Sequence, residues 1–156
     1  YFYTGLIKFC ESEAELAGVL AHEMAHSDKR HSTVNMTKTY SYGTLFQILL
    51  GKDNATLANI ATNLVSLKFS REQEYEADKN AIDYISAAGY KGDAFKNFFV
   101  KMDSMVSKGS NPEFLSTHPS DDNRIEKIEE EWNAVKTADS AMSKIGDINA
   151  IKNSLP

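Results

Sequence analysis

Apolar residues along this chain recur mostly at helical spacing. Leu16, Leu20 and Met24 line up as one apolar stripe between Ser12 and Lys29, which predicts an amphipathic helix. Ser12-Glu-Ala-Glu15 opens it as a capping box, with Ser12 as N-cap and Glu15 reaching back. Residues 33–50 are also predicted helical, with Gly43 inside and Gly51 as a stop. Asp53 or Asn54 then caps a segment in which Leu57, Ile60, Ala61, Leu64 and Leu67 repeat at helical spacing. Ser70-Arg-Glu-Gln73 is a second capping box, and its helix ends at Gly89, the residue type that suits the position just past a helix. Asp93 caps a helix carrying Phe95, Phe98, Phe99 and Met102, whose aromatic cluster reads as core. Residues 107–120 form a loop, a last amphipathic helix runs from about Asp121 to Val135, and the tail beyond Thr137 has room for a short helix. Tyr1-Phe-Tyr-Thr-Gly5 reads as the end of a β-strand followed by a glycine break. The fold class is mainly α with a remnant of a small β-sheet at the N-terminus.

Composition narrows the chemistry. A length of 156 residues with 42% hydrophobic and 25% charged residues fits about one globular domain. The single cysteine, Cys10, excludes an internal disulfide framework and any multi-cysteine metal site, and reads as a small apolar residue. A net charge of −5 without a basic run argues against nucleic acid and against docking on anionic lipid. No basic n-region or apolar h-region of a signal peptide opens the chain, and no initiator Met is present, so an upstream part is expected. The apolar run 45–50, broken by Gln47, falls well short of the roughly 20 residues of a membrane span. The stretch 41–50 reads as a helix packed inside the domain, with a membrane-facing or partner-facing role as the alternative. Any metal site must therefore be built from four histidines and carboxylates.

His22-Glu23-Met24-Ala25-His26 supplies such a site. A spacing of four places both imidazoles on one helix face, one turn apart, where both reach a single metal. Glu23 lies beside them, able to reach a metal-bound water and to take its proton as general base while that water attacks a carbonyl. Gly18 and Ala25 leave little bulk on that face. The plain alternative is a pair of solvent-facing histidines.

A hydrolytic zinc needs a third protein ligand and an open position. The extended motif HExxHxxGxxH fails, because Lys29 and Ser32 stand where Gly and His are required. His31 is off by one and reads as a surface residue. On the helix from Ser70, Glu72, Glu76, Lys79 and Asp83 share a solvated charged stripe. Glu74, Asp78, Ile82 and Ile85 share the other, which faces inward. An inward carboxylate needs a partner. Zinc for Glu74 and a ligand imidazole N–H for Asp78 satisfy both, and a buried ion pair with Lys or Arg is the alternative.

His22-Glu-Met-Ala-His26 followed by Ser70-Arg-Glu-Gln-Glu-Tyr-Glu-Ala-Asp78 resembles the HExxH…ExxxD signature of the metallopeptidase family of CAAX prenyl proteases, HtpX and mitochondrial Oma-type proteases. It is most similar to the bacterial periplasmic and Oma-like branch. Tyr3-Thr-Gly-Leu-Ile7, Ala88-Gly-Tyr90 and Phe114-Leu-Ser-Thr-His-Pro119, with Arg124 beyond, are also similar, so the resemblance covers about residues 1–130. It implies a zincin-like (gluzincin) helical metalloprotease domain with one zinc per chain. His22, His26 and Glu74 would be the zinc ligands, Glu23 the base, and Asp78 the residue behind a ligand. It further implies upstream strands that complete an active-site sheet, an edge strand before Gly5 that pairs with extended substrate, and misfolded or membrane-associated protein substrates. The implied setting is extracytoplasmic, in the periplasm or at a bacterial membrane. The catalytic domain would run over residues 1–137, with 138–156 as a tail.

His118 precedes Pro119 and is therefore biased to extended backbone, as suits a loop over a cleft. Two roles are open for it: an N–H donor to the oxyanion of the reaction, or a fourth zinc ligand that shuts the enzyme off. Arg124 could also point at the site; otherwise Thr-His-Pro only caps the last helix. The main expectation is a zinc metalloendopeptidase. The competing one is a chaperone-like binding module that keeps a structural or regulatory metal, and a purely structural helical domain is a third. Zinc uptake and the behaviour of Glu23→Gln separate them.

Overall fold

A computed structural model describes residues 3–50, 68–119, 123–136 and 145–155. Its helices, in chain order, are α1 (Thr4–Phe9), α2 (Glu13–Asp28), α3 (His31–Leu50), α4 (Arg71–Ala87), α5 (Asp93–Ser107), α6 (Phe114–Thr117), α7 (Arg124–Val135) and α8 (Asn149–Asn153). The mainly α reading holds. The residues from Thr4 onward are helix, where the sequence suggested a strand end and a glycine break. A lone strand would leave its N–H and C=O groups unpaired, whereas one helical turn closes Cys10 N–H onto Leu6 O internally and lays Leu6, Ile7 and Phe9 on the core. Of the residues read as a strand end, Tyr1 and Phe2 lie outside the described residues, and Thr4 and Gly5 belong to α1. The expected stop at Gly51, the caps at Asp53 or Asn54, the repeat from Leu57 to Leu67 and the start at Asp121 lie outside the described residues.

Both capping signals act. Ser12 Oγ accepts from Glu15 N at 3.2 Å, but Glu15 Oε2 reaches past Ser12 to the N–H of Glu11 at 2.8 Å. Lys101 Nζ, 2.6 Å from the same oxygen, balances that buried carboxylate. Ser70 and Gln73 form the complete reciprocal box at the start of α4. At its other end Gly89 adopts φ 79°, Gly89 N–H bonds Ser86 O and Tyr90 N–H bonds Ile85 O, the paired closure that a left-handed glycine permits.

α2 lies centrally, packed on α4 and α5, and α7 closes over α4 and α5. The core joins Val19, Ala21, Ala81, Ile82, Ile85, Phe95, Phe98, Phe99, Met102, Ile128 and Trp132. Phe95, Phe98 and Phe99 are core, as expected. The buried face of α2 is not the one its large apolar residues mark. Leu20 is 40% exposed and Met24 53%, while Ala14, Gly18, Ala21, Ala25 and both motif histidines are buried. Small residues on α2, matched by Ala77 and Ala81 on α4, let the helices approach closely, and a Cβ at Gly18 would come within 2.5 Å of Phe95. That approach brings the side chains of α4 within reach of the imidazoles.

α3 also departs from its reading. Tyr40, Tyr42, Leu45, Ile48 and Leu49 are exposed rather than packed in the core. Near the C-terminus, Ile148 is buried in the core and Ala14 N–H bonds Ile145 O at 2.9 Å.

Candidate metal centre

Three helical segments converge on one point. α2 presents His22 and His26, one turn apart and both buried. α4 presents Glu74 and, one turn on, Asp78, both buried. Glu72, Glu76, Lys79 and Asp83 lie exposed on the opposite stripe, as their charge predicts. α6 ends at His118, whose φ −112° and ψ 90° are the extended backbone expected before Pro119. Phe69 N–H bonds Thr117 O at 3.1 Å, so the chain entering α4 is tied to the loop that carries His118. Phe114 stacks on the His118 ring at 4.4 Å, and Phe69 lies 4.0 Å from the His26 ring. These two phenylalanines wall the site with apolar surface.

Ligand atoms of His22, His26, Glu74 and His118 all lie within 4.8 Å of one another. His22 Nε2 is 3.0 Å from His26 Nε2, 3.3 Å from His118 Nδ1 and 3.4 Å from Glu74 Oε2. Glu74 Oε1 is 3.4 Å from His26 Nε2 and 3.1 Å from His118 Nδ1. Separations of this order suit ligand atoms gathered around one divalent cation. The buried Glu74 Oε2 has no hydrogen bond, although Arg124 Nη1 lies 2.8 Å away. Three imidazole nitrogens and a carboxylate directed at one another can hold a divalent cation with their lone pairs.

Each partner behind the cluster has a definite position. Asp78 Oδ1 stands 2.8 Å from His22 Nδ1, with the ring N–H out of line. Arg124, read from sequence as a group that could point at the site or belong only to a capped helix, is buried beneath it. Its Nε and Nη2 donate to Asp78, its Nη1 donates to Pro119 O at 3.4 Å, and its guanidinium lies over the Phe99 ring. Glu23 projects from the same turn as His22, and its Oε1 is 3.3 Å from His118 Nε2. His31 is not the surface residue its spacing suggested. It is 4% exposed, with Nδ1 2.9 Å from His26 Nδ1. Nothing in the spacing of His31 could reveal this, because the turn between α2 and α3 brings it back.

The charges reinforce one another. Burial opposes the charged form of His22, but Asp78 and Glu74 outweigh it and hold its pKa up at about 9. Burial pushes His26 down. Burial also acts to raise Glu74, yet hydrogen bonds from His118, His22 and His26 and the charge of Arg124 hold it far below the usual carboxylate range. Burial acts the same way on Asp78, where Arg124 and His22 prevail and keep it ionised. In the metal-free chain the two buried carboxylates are thus balanced by Arg124 and by a protonated His22.

Residues 1–132 match the model of peptidase family M48, and the chain belongs to that family. It is 35% identical over 134 residues to the mitochondrial metalloendopeptidase OMA1 of Schizosaccharomyces pombe, covering 83% of this chain and 40% of that protein. Over 156 residues it is 30% identical to the beta-barrel assembly-enhancing protease of Yersinia pestis, covering 91% of this chain and 32% of the relative. The Saccharomyces cerevisiae OMA1 is 29% identical over 135 residues, 82% of this chain and 39% of that protein. The chain thus spans between about a third and two fifths of the length of these relatives. Family membership and the four-donor cluster together indicate a divalent metal. Among the described residues no helix is long and apolar enough to cross a membrane.

Proposed function

We propose that this domain is a zinc-dependent metalloendopeptidase acting on polypeptides in protein quality control. The observation that carries this reading is the buried convergence of His22, His26, Glu74 and His118, with the Glu23 carboxylate beside it. Two imidazoles and a carboxylate in a hydrolytic motif favour zinc over other divalent ions. His22, His26 and Glu74 hold one zinc per chain. A bound zinc supplies Lewis acidity toward a carbonyl oxygen and brings the pKa of water close to neutrality.

The chain's own residues then do the following. Asp78 holds His22 in place from behind, and Arg124 fixes Asp78 through two hydrogen bonds, so Arg124 positions the site rather than touching substrate. Glu23, partly open to solvent, accepts the proton of the attacking water and passes it to the leaving amine. In this conformation His118 lies against both His22 and the base Glu23, so it would limit access of water and peptide to them. The alternative role for the same imidazole is as an N–H donor to the oxyanion of the reaction.

The relatives named for mitochondrial endopeptidase activity and for enhancing β-barrel assembly support polypeptide substrates in a membrane-associated or extracytoplasmic setting. The test uses the purified protein. Wild type should bind one zinc and cleave unfolded casein, while Glu23→Gln should keep the zinc and lose at least about a hundredfold in cleavage rate. A wild-type chain that takes up no zinc, or a Glu23→Gln variant that cleaves at the wild-type rate, overturns the reading.

A further inference from the structure

His31 and Glu76 form a proton-defined brace behind His26, and we infer that His31 is a positioning residue that sets the tautomer and orientation of that imidazole for metal binding. The inference rests on the reading of His26 as a zinc ligand. Its own evidence is a line of contacts that the metal cluster does not need for its fold. His26 turns Nε2 toward His22 and Glu74, so its far nitrogen, Nδ1, points out of the cluster. That nitrogen meets His31 Nδ1 at 2.9 Å, and His31 Nε2 meets Glu76 Oε2 at 3.2 Å.

One assignment of protons satisfies all three groups. A lone pair on His26 Nε2 puts the proton of the neutral ring on Nδ1. His26 Nδ1–H then donates to His31 Nδ1, which must be the acceptor. The proton of neutral His31 lies on Nε2 and donates to the Glu76 carboxylate. The two ligand imidazoles are thus backed in different ways: Asp78 stands directly behind His22, and a second imidazole relays Glu76 to His26.

The backbone supplies a second, independent observation. Arg30 sits at φ 56°, a conformation that a residue with a Cβ seldom adopts. It closes the end of α2 and turns the chain so that His31 begins α3 facing back onto α2. On a continued helix a residue five positions beyond His26 would point well away from it. A strained turn of this kind persists where the surrounding structure fixes it, and here it places one buried imidazole against another.

The test is a zinc competition titration with a chromophoric chelator on the full chain, alongside the melting temperature of the metal-free protein. His31→Leu fills the space without an acceptor and should weaken zinc binding about 10- to 100-fold. In His31→Asn the amide oxygen sits where Nδ1 was and can accept from His26, so it should bind zinc at least severalfold more tightly than His31→Leu. Glu76→Ala, at a half-exposed side chain, should show a smaller loss and covers the case in which His31→Leu does not fold. Wild-type affinity in His31→Leu, or equal losses in the Asn and Leu variants, overturns the brace. If wild type itself takes up no zinc, or His26→Ala binds as wild type does, the metal reading fails instead.

Discussion

Arg124 grips Asp78 through two hydrogen bonds of 2.7 Å, from Nε and from Nη2, and neither side chain is open to solvent. Asp78 in turn stands 2.8 Å from His22, so a residue on α7 controls the orientation of an imidazole on α2. Removing the arginine leaves two buried carboxylates, Asp78 and Glu74, short of their cation. Breaking a buried pair from one side costs about 3–5 kcal/mol. Arg124→Met should lower unfolding stability by about that amount, read from denaturant midpoints. Arg124→Lys should recover little of it, because a single ammonium cannot reproduce the planar two-point grip.

His118 faces both the ligand cluster and Glu23. His118→Ala should retain bound zinc, since His22, His26 and Glu74 remain, and should alter cleavage of an unfolded protein. A rise identifies the imidazole as a brake, and a fall identifies it as a donor in the reaction. The brake role requires in addition that X-ray absorption on the zinc-loaded chain show one nitrogen ligand fewer in the variant, and the donor role requires the same ligand count in both. Unchanged kinetics with an unchanged metal environment would sink both roles.

The pKa of His22 gives a pH dependence with a definite sign. It rises from 6.5 to about 9 in the folded, metal-free chain. The group therefore contributes stability that is fully present below about pH 6.5 and is lost as the pH climbs through 9. The melting temperature of the metal-free protein should fall across that window, whereas the zinc-loaded protein, whose His22 must already be deprotonated, should lack this component. Zinc uptake at pH 7 should then expel about one proton, which calorimetry in buffers of different ionisation enthalpy would detect. On the acid side, Glu74 and Asp78 have lowered pKa values, so their contribution is lost as the pH falls below the ordinary carboxylate range.

Gly18 marks a close contact of α2 with Phe95 of α5. A Cβ there would meet buried Phe95 atoms at 2.5–2.7 Å, and that ring has no room to retreat. Alanine raises helix propensity by about 1 kcal/mol, but overpacking of this kind costs about 1–3 kcal/mol. Gly18→Ala should therefore be neutral to destabilising, by up to about 2 kcal/mol in thermal or denaturant unfolding, with zinc stoichiometry unchanged.

The sequence by itself determined the parts whose cause is local. Helical spacing put His22 and His26 on one face, Ser70 and Gln73 started α4, Gly89 ended it, and the two stripes of α4 separated Glu74 and Asp78 from the solvated charges. Family membership was also legible there, because the two motifs carry it. Tertiary structure decided what depends on which surfaces meet. Leu20 and Met24 look like the core of α2, yet only its small residues permit the close approach to α4 and α5, so they remain exposed. Thr4–Phe9 coils into a helix because a turn satisfies its own backbone while a lone strand cannot. Arg124 and His31 lie far in sequence, or at the wrong helical phase, from the groups they support. Packing of α7 on α4 buries the first, and a left-handed turn at Arg30 returns the second, so a pattern along one chain could not reveal either partner.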